Sequence, residues 1–209
     1  MVEAIRACGG RAVFVPTDVT LESDVAGLVG VALAEFGRLD GAFNNAGGAQ
    51  AVGPLQDLDD AAWQAELDLN LSSVFYGLKH QIPAIVTAGG GAIVNTSSTF
   101  GTVGTSTLAG YVAAKHGVIG LTRAAALETA EQGVRVNALV LGGVDTPLFR
   151  SISSMGASPE GKAWIVGLHP VKRMSKPEEI APFVAFLLSD ESTFITGAAL
   201  AIDGGLTAQ

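Results

Sequence analysis

The sequence has one cysteine, Cys8, so no disulfide can form within the chain and no cysteine pair supports a zinc site. Its three histidines, His80, His116 and His169, lie far apart without metal-ligand spacing. No metal is expected, and each histidine reads as an ordinary surface or packing residue. No apolar run is long enough to span a bilayer, and no signal-peptide pattern opens the chain, so a soluble cytoplasmic protein without a membrane partner is expected. Basic residues are few: 12 Lys and Arg stand against 20 Asp and Glu, for a net charge of −8, and they are scattered rather than clustered. A phosphate backbone would be repelled more than attracted, so nucleic acid is not expected as a partner. There is no G-x-S-x-G elbow, which argues against a serine hydrolase. Despite 27 glycines, there is also no G-x-x-x-G-x-G or G-x-G-x-x-G turn.

What is present is a chain 48% hydrophobic over 209 residues, enough for one domain spanning 1–209 to bury a core unaided. Strand-like and helix-like patterns alternate throughout, which predicts an α/β fold with a mainly parallel sheet. Strands are expected at Ala12 to Pro16, Leu39 to Phe43, Ala92 to Thr96, Val134 to Leu139 and Ala198 to Ile202. Helices are expected from about Leu21 to Phe36 with Thr20 as cap, Asp60 to Val86 with a bend near Pro83, Leu108 to Gln132, and Pro177 to Leu188. Thr146 to His169 is less regular, with a short helix near Pro159 to Leu168, and reads as a lid or as a passive surface excursion.

The strongest chemical signal is Tyr111-Val112-Ala113-Ala114-Lys115. Four residues along a helix place the phenol and the ammonium on one face, where the positive charge is expected to favour the phenolate and bring proton exchange into working range. Such pairs also arise by chance on amphipathic helices. Ser98 falls at the end of a predicted strand, where open α/β sheets place their ligands, and can donate a hydrogen bond to a substrate oxygen. The alternative is a strand-end serine satisfying its own backbone.

The segments Asp18-Val19, Asn44-Asn45-Ala46-Gly47, Asn70, Ser97-Ser98, Tyr111 to Lys115 and Arg135-Val136-Asn137-Ala138 follow one another in an order and approximate spacing that resemble the classical short-chain dehydrogenase/reductase family. So do the later His169-Pro170-Val171-Lys172-Arg173-Met174, Lys176 to Ala181, Ser189-Asp190-Glu191, Ile195-Thr196-Gly197 and Asp203-Gly204-Gly205. The resemblance covers almost the whole chain. It implies a Rossmann-like, doubly wound, mainly parallel sheet flanked by helices, and an oxidoreductase that interconverts a secondary alcohol and a ketone. NAD or NADP would be the cofactor, a small-molecule alcohol or ketone the substrate, and a homodimer or homotetramer the assembly. It further implies a catalytic tetrad, with Tyr111 as general acid/base and Lys115 lowering its pKa and holding the nicotinamide ribose. Ser98 would orient the substrate oxygen, and Asn70 would hold a water in a proton relay. Asp18 and Val19 would meet adenine, Asn45, Ala46 and Gly47 the adenosine ribose, and Val144 and Thr146 the nicotinamide carboxamide and nearby phosphate.

Two departures from the family pattern matter. Leu141-Gly142 stands where the family usually has Pro-Gly. The family's opening strand, glycine-rich turn, helix and second strand are not found, so the chain reads as N-terminally truncated, with sheet edges and core surface expected to be exposed. NAD and NADP are therefore not separable. A noncatalytic truncated module that oligomerises but cannot bind the dinucleotide stands as the alternative function.

Overall fold

The computed structural model describes residues 1–151 and 157–208. Four parallel strands, β1 (Gly41–Asn44), β2 (Gly91–Ser98), β3 (Val134–Leu141) and β4 (Ala199–Ile202), form one sheet in the order β1-β2-β3-β4. Parallel neighbours need long crossovers, and helices supply them. They are α1 (Val2–Ala7), α2 (Glu22–Phe36), α3 (Asp60–Leu67), α4 (Ser73–Thr87), α5 (Ala109–Thr129), α6 (Pro147–Ser151), α7 (Pro159–Leu168) and α8 (Pro177–Leu188).

The two-residue period of the strands divides the core between the faces of the sheet. Ile93, Val134 and Val136 pack with Val74, Leu78 and Ile85 of α4 and Val118, Ala125 and Ala126 of α5. Their neighbours Val94 and Leu139 point the other way, onto Ile180, Val184 and Leu187 of α8. Helices thus cover both faces, which is why the central strands read as continuous apolar runs rather than alternating ones. The Arg135 to Ala138 segment fastens this layer to the loop beyond α8: Arg135 donates to the Leu187 and Ser189 carbonyls, and Asn137 donates to that of Ile195.

Three expectations about local structure need correction. Ala12 to Pro16 is extended but not a strand; it has no ladder partner, and Phe14 is 74% exposed. β-structure requires a hydrogen-bonded neighbour, and β1, the outermost strand of the sheet, does not pair with this run. Thr20 does not cap α2: its hydroxyl donates to Asp18 Oδ1, and Leu21 occupies the cap position without a side-chain bond. The expected single helix from Asp60 is interrupted by a π-helical segment at Asp68–Ser72 rather than at Pro83, which lies inside α4. Wide turns of this kind are frequent at functional sites, and this one carries Asn70. Part of the irregular Thr146 to His169 segment, residues 152–156, lies outside the described residues.

Candidate active site

The strand ends build the site. β1 runs out into Asn45-Ala46-Gly47-Gly48, β2 ends on Ser97-Ser98, and β3 leads into Gly142-Gly143-Val144. Together with Tyr111 on α5, and with Leu148, Phe149, Ile165 and His169, they line a cavity of about 380 Å³. Seven of the residues singled out from sequence meet in this lining: Asn45, Ala46, Gly47, Ser98, Tyr111, Val144 and Thr146. Asn70 and Lys115 do not line it; they are buried behind it, at 0% and 2% exposure. Val19 lies in a separate apolar cavity among α2, β1 and α4, which also reaches Asn45 and Ala46. Asp18 lines neither cavity, because its carboxylate is engaged with the backbone and hydroxyl of Thr20.

The helical spacing brings Tyr111 and Lys115 together as expected, with Lys115 Nζ 5.5 Å from the centroid of the phenol ring. The ammonium donates to the Thr96 carbonyl at 3.0 Å. The electrostatics differ from the expectation for this pair. Burial pushes the Tyr111 phenol up to about 12, opposed by its interaction with the Ser98 hydroxyl and reinforced by the negative charge of Glu66. Burial also pulls Lys115 down to about 8, against the same Glu66 charge. Burial is the largest influence on both groups, and for Tyr111 it favours the neutral phenol. Ser98 Oγ accepts from the Phe100 amide, so the strand-end hydroxyl caps its own turn while facing the cavity.

Glycine is required at position 47. Its φ is +153°, and a Cβ there would stand 2.7 Å from Asn70 Oδ1 and 3.3 Å from Lys115 Nζ. The bare backbone of Gly47, which lines the cavity, thus packs closely against Asn70 and Lys115 behind it. Thr146 Oγ1 accepts from the Phe149 amide and so begins α6 while still lining the cavity.

Two site residues escaped the sequence reading. Glu66 is fully buried four positions before Asn70, and that spacing was the available signal: an acid on the inward face of an amphipathic helix. His169, read as an ordinary histidine, is 2% exposed and joins two segments. Its Nδ1 lies 2.7 Å from the Ile165 carbonyl, which can only accept, so Nδ1 carries the proton and Nε2 accepts from the Gly143 amide at 2.9 Å. Gly142 fits beneath this ring because a Cβ there would lie 2.5 Å from Nε2. Nothing in the sequence pattern revealed that contact across the fold. Among the described residues, no group of three or more His, Cys, Asp or Glu could hold a metal ion. No described helix is long and apolar enough to cross a membrane.

A family model described as enoyl-(acyl carrier protein) reductase matches residues 1–207. Cyclohexanol dehydrogenase of Acinetobacter sp. is 43% identical over all of this chain and 80% of its own length. Cis-4-hydroxycyclohexanecarboxylate dehydrogenase of Sinomonas cyclohexanicum is 45% identical over all of this chain and 82% of its own. Among solved structures, a short-chain type dehydrogenase/reductase from Mycobacterium ulcerans superposes with TM-score 0.92 at 33% identity, covering 100% of this chain and 76% of that one. An NAD+-bound xylitol dehydrogenase superposes with TM-score 0.88 at 33% identity, covering 98% and 83%. With its parallel sheet, its flanking helices and a match over nearly its whole length, the chain is an oxidoreductase of the short-chain dehydrogenase/reductase family.

Proposed function

We propose that the chain interconverts a secondary alcohol on a small neutral ring and the corresponding ketone, with NAD or NADP as the hydride partner. The observation that carries this reading is the Tyr111 phenol at the cavity beside Ser98, with the Lys115 ammonium buried under its ring. The bound dinucleotide supplies the hydride acceptor or donor; the chain supplies placement and the proton. Gly47, Asn45, Ala46 and Lys115 are suited to the nucleoside, and Val144 and Thr146 to the nicotinamide end; the separate cavity at Val19 suits the adenine.

In the ketone direction Ser98 donates to the carbonyl oxygen, and Tyr111 gives that oxygen its proton as the carbon is reduced. The phenolate left behind is stabilised by Lys115, and Asn70 anchors the path by which the proton is replaced. The reverse sequence oxidises the alcohol. A phenol pushed up to about 12 is already charged with its proton, which suits it to the donor role.

The ring preference rests on the lining and the relatives. None of the described lining residues is Lys, Arg, Asp or Glu, while Leu108, Leu148, Phe149, Ile165 and Leu168 supply an apolar wall. Two relatives carry names that place their substrates on six-membered carbocycles, one neutral and one carboxylated. A lining without a cationic side chain to pair with a carboxylate favours the neutral one. The test titrates the chain with NADH and NADPH and then compares reduction of cyclohexanone with that of 4-oxocyclohexanecarboxylate. Saturable binding and at least ~10-fold higher kcat/KM for the neutral ketone are expected, the scale of leaving one charge poorly solvated. Equal or reversed preference overturns the substrate class, and absence of dinucleotide binding supports the noncatalytic alternative. Exposed Phe75 on α4 and Leu127 on α5, at 46% and 84%, support assembly as a homodimer or homotetramer, which sedimentation velocity would detect.

A further inference from the structure

Glu66 is a fully buried carboxylate in the described core, and the proton chemistry above does not use it. Its contacts are complete. Oε2 accepts from the backbone amides of Gln50 and Ala51 at 2.9 and 2.8 Å, and Oε1 accepts from Asn70 Nδ2 at 2.9 Å. All three partners donate, so the acceptor-only carboxylate is the form that satisfies them. Asn70 passes the restraint on: its amide also donates to the Gly48 carbonyl, and its Oδ1 accepts the Gly48 amide, each at 3.0 Å. One acid therefore fixes both ends of the turn Gly47–Ala51, whose first residue abuts Lys115 Nζ. Gly110 holds the acid from the other side, since a Cβ there would lie 3.0 Å from Glu66 Cγ.

The charge has a partner to serve. Lys115 is the one buried lysine of the five in the chain; Lys79, Lys162, Lys172 and Lys176 are exposed. Among the described residues its one direct acceptor is the neutral Thr96 carbonyl, which leaves most of the cost of burying an ammonium unmet. The negative charge of Glu66, from α3, acts on both Lys115 and its neighbour Tyr111. We infer that Glu66 is a positioning residue of this site: its carboxylate holds the Gly47–Ala51 turn and the Asn70 amide in place beside the Lys115 ammonium.

This inference rests on Tyr111 and Lys115 being the proton-handling pair, but its test does not need turnover. The chain is prepared with 13Cε-labelled lysine, and the Lys115 resonance is titrated by NMR in the wild type, Glu66→Gln and Glu66→Asp. Amide exchange at Gln50 and Ala51 is followed in the same samples. In Glu66→Gln the Lys115 midpoint should fall by about one pH unit, because a neutral amide replaces the charge. In Glu66→Asp, which keeps the charge but shortens the reach, the midpoint should stay within ~0.3 pH unit of wild type while Gln50 and Ala51 exchange at least ~10-fold faster. An unmoved midpoint in a well-dispersed Glu66→Gln spectrum overturns the reading of Glu66 as an ionised carboxylate of this site. If Glu66→Gln does not fold, unchanged exchange protection in Glu66→Asp overturns the clamp. Failure of these titrations is separate from failure of the dehydrogenase reading, which is decided by Tyr111→Phe kinetics.

Discussion

Lys115 converts the electrostatics of the site into a measurable dependence of stability on pH. Burial lowers its pKa from 10.5 to about 8 in the folded chain. Between those values the unfolded state holds more protons than the folded one, so this group's contribution to stability rises with pH. The contribution is complete above the unfolded value and is lost as pH falls through about 8. Integrated from pH 7 to pH 9.5, the difference in proton binding amounts to about 2 kcal/mol at ~1.36 kcal/mol per pKa unit. Lys115→Met removes the titrating group and keeps an unbranched chain of similar length. The stability of wild type relative to Lys115→Met should therefore improve by about 2 kcal/mol across that window. Urea unfolding followed by circular dichroism at several pH values measures it. Tyr111, raised from 10.0 to about 12, titrates above this range and is present in both proteins. A difference that stays flat to within ~0.5 kcal/mol from pH 7 to 9.5 would show that Lys115 is not desolvated as the structure places it.

Other expectations follow from the same geometry. Gly47→Ala should destabilise by about 1–3 kcal/mol in urea unfolding and weaken dinucleotide binding, because its Cβ meets Asn70 and Lys115 and its backbone sits at positive φ. His169→Leu leaves the Gly143 amide without its acceptor and should cost about 1–3 kcal/mol, with KM for the ketone rising more than kcat falls. The rate of ketone reduction should decline as pH rises above about 8, where Lys115 loses the charge that stabilises the phenolate, and a pH–rate profile checks this.

Much of the architecture was legible because local signals agreed with the global fold. Pro177 and the acids after it placed α8 at its observed limits, and the apolar runs Ala92 to Thr96 and Val134 to Leu139 marked most of β2 and β3. The residues at strand ends came together at one cavity, since parallel strands deliver their C-terminal ends to one edge. What was not legible depended on partners remote in sequence. The run Ala12 to Pro16 has strand composition, but a strand exists only with a neighbour. The π-helical turn at Asn70 accompanies hydrogen bonds to Glu66 and Gly48, which no periodicity encodes. Sequence spacing revealed the ammonium beside Tyr111 but not the depth of burial, which pushes the phenol up.

The central claim is that Tyr111 delivers the proton to the substrate oxygen. It is tested most directly by comparing cyclohexanone reduction by the wild-type chain and by Tyr111→Phe, with nicotinamide oxidation followed spectroscopically and dinucleotide binding measured in parallel. The account predicts that kcat falls by about 10²–10⁴-fold while dinucleotide affinity stays within ~2-fold, the loss expected when a positioned general acid is removed. Equal turnover by the two proteins would contradict it.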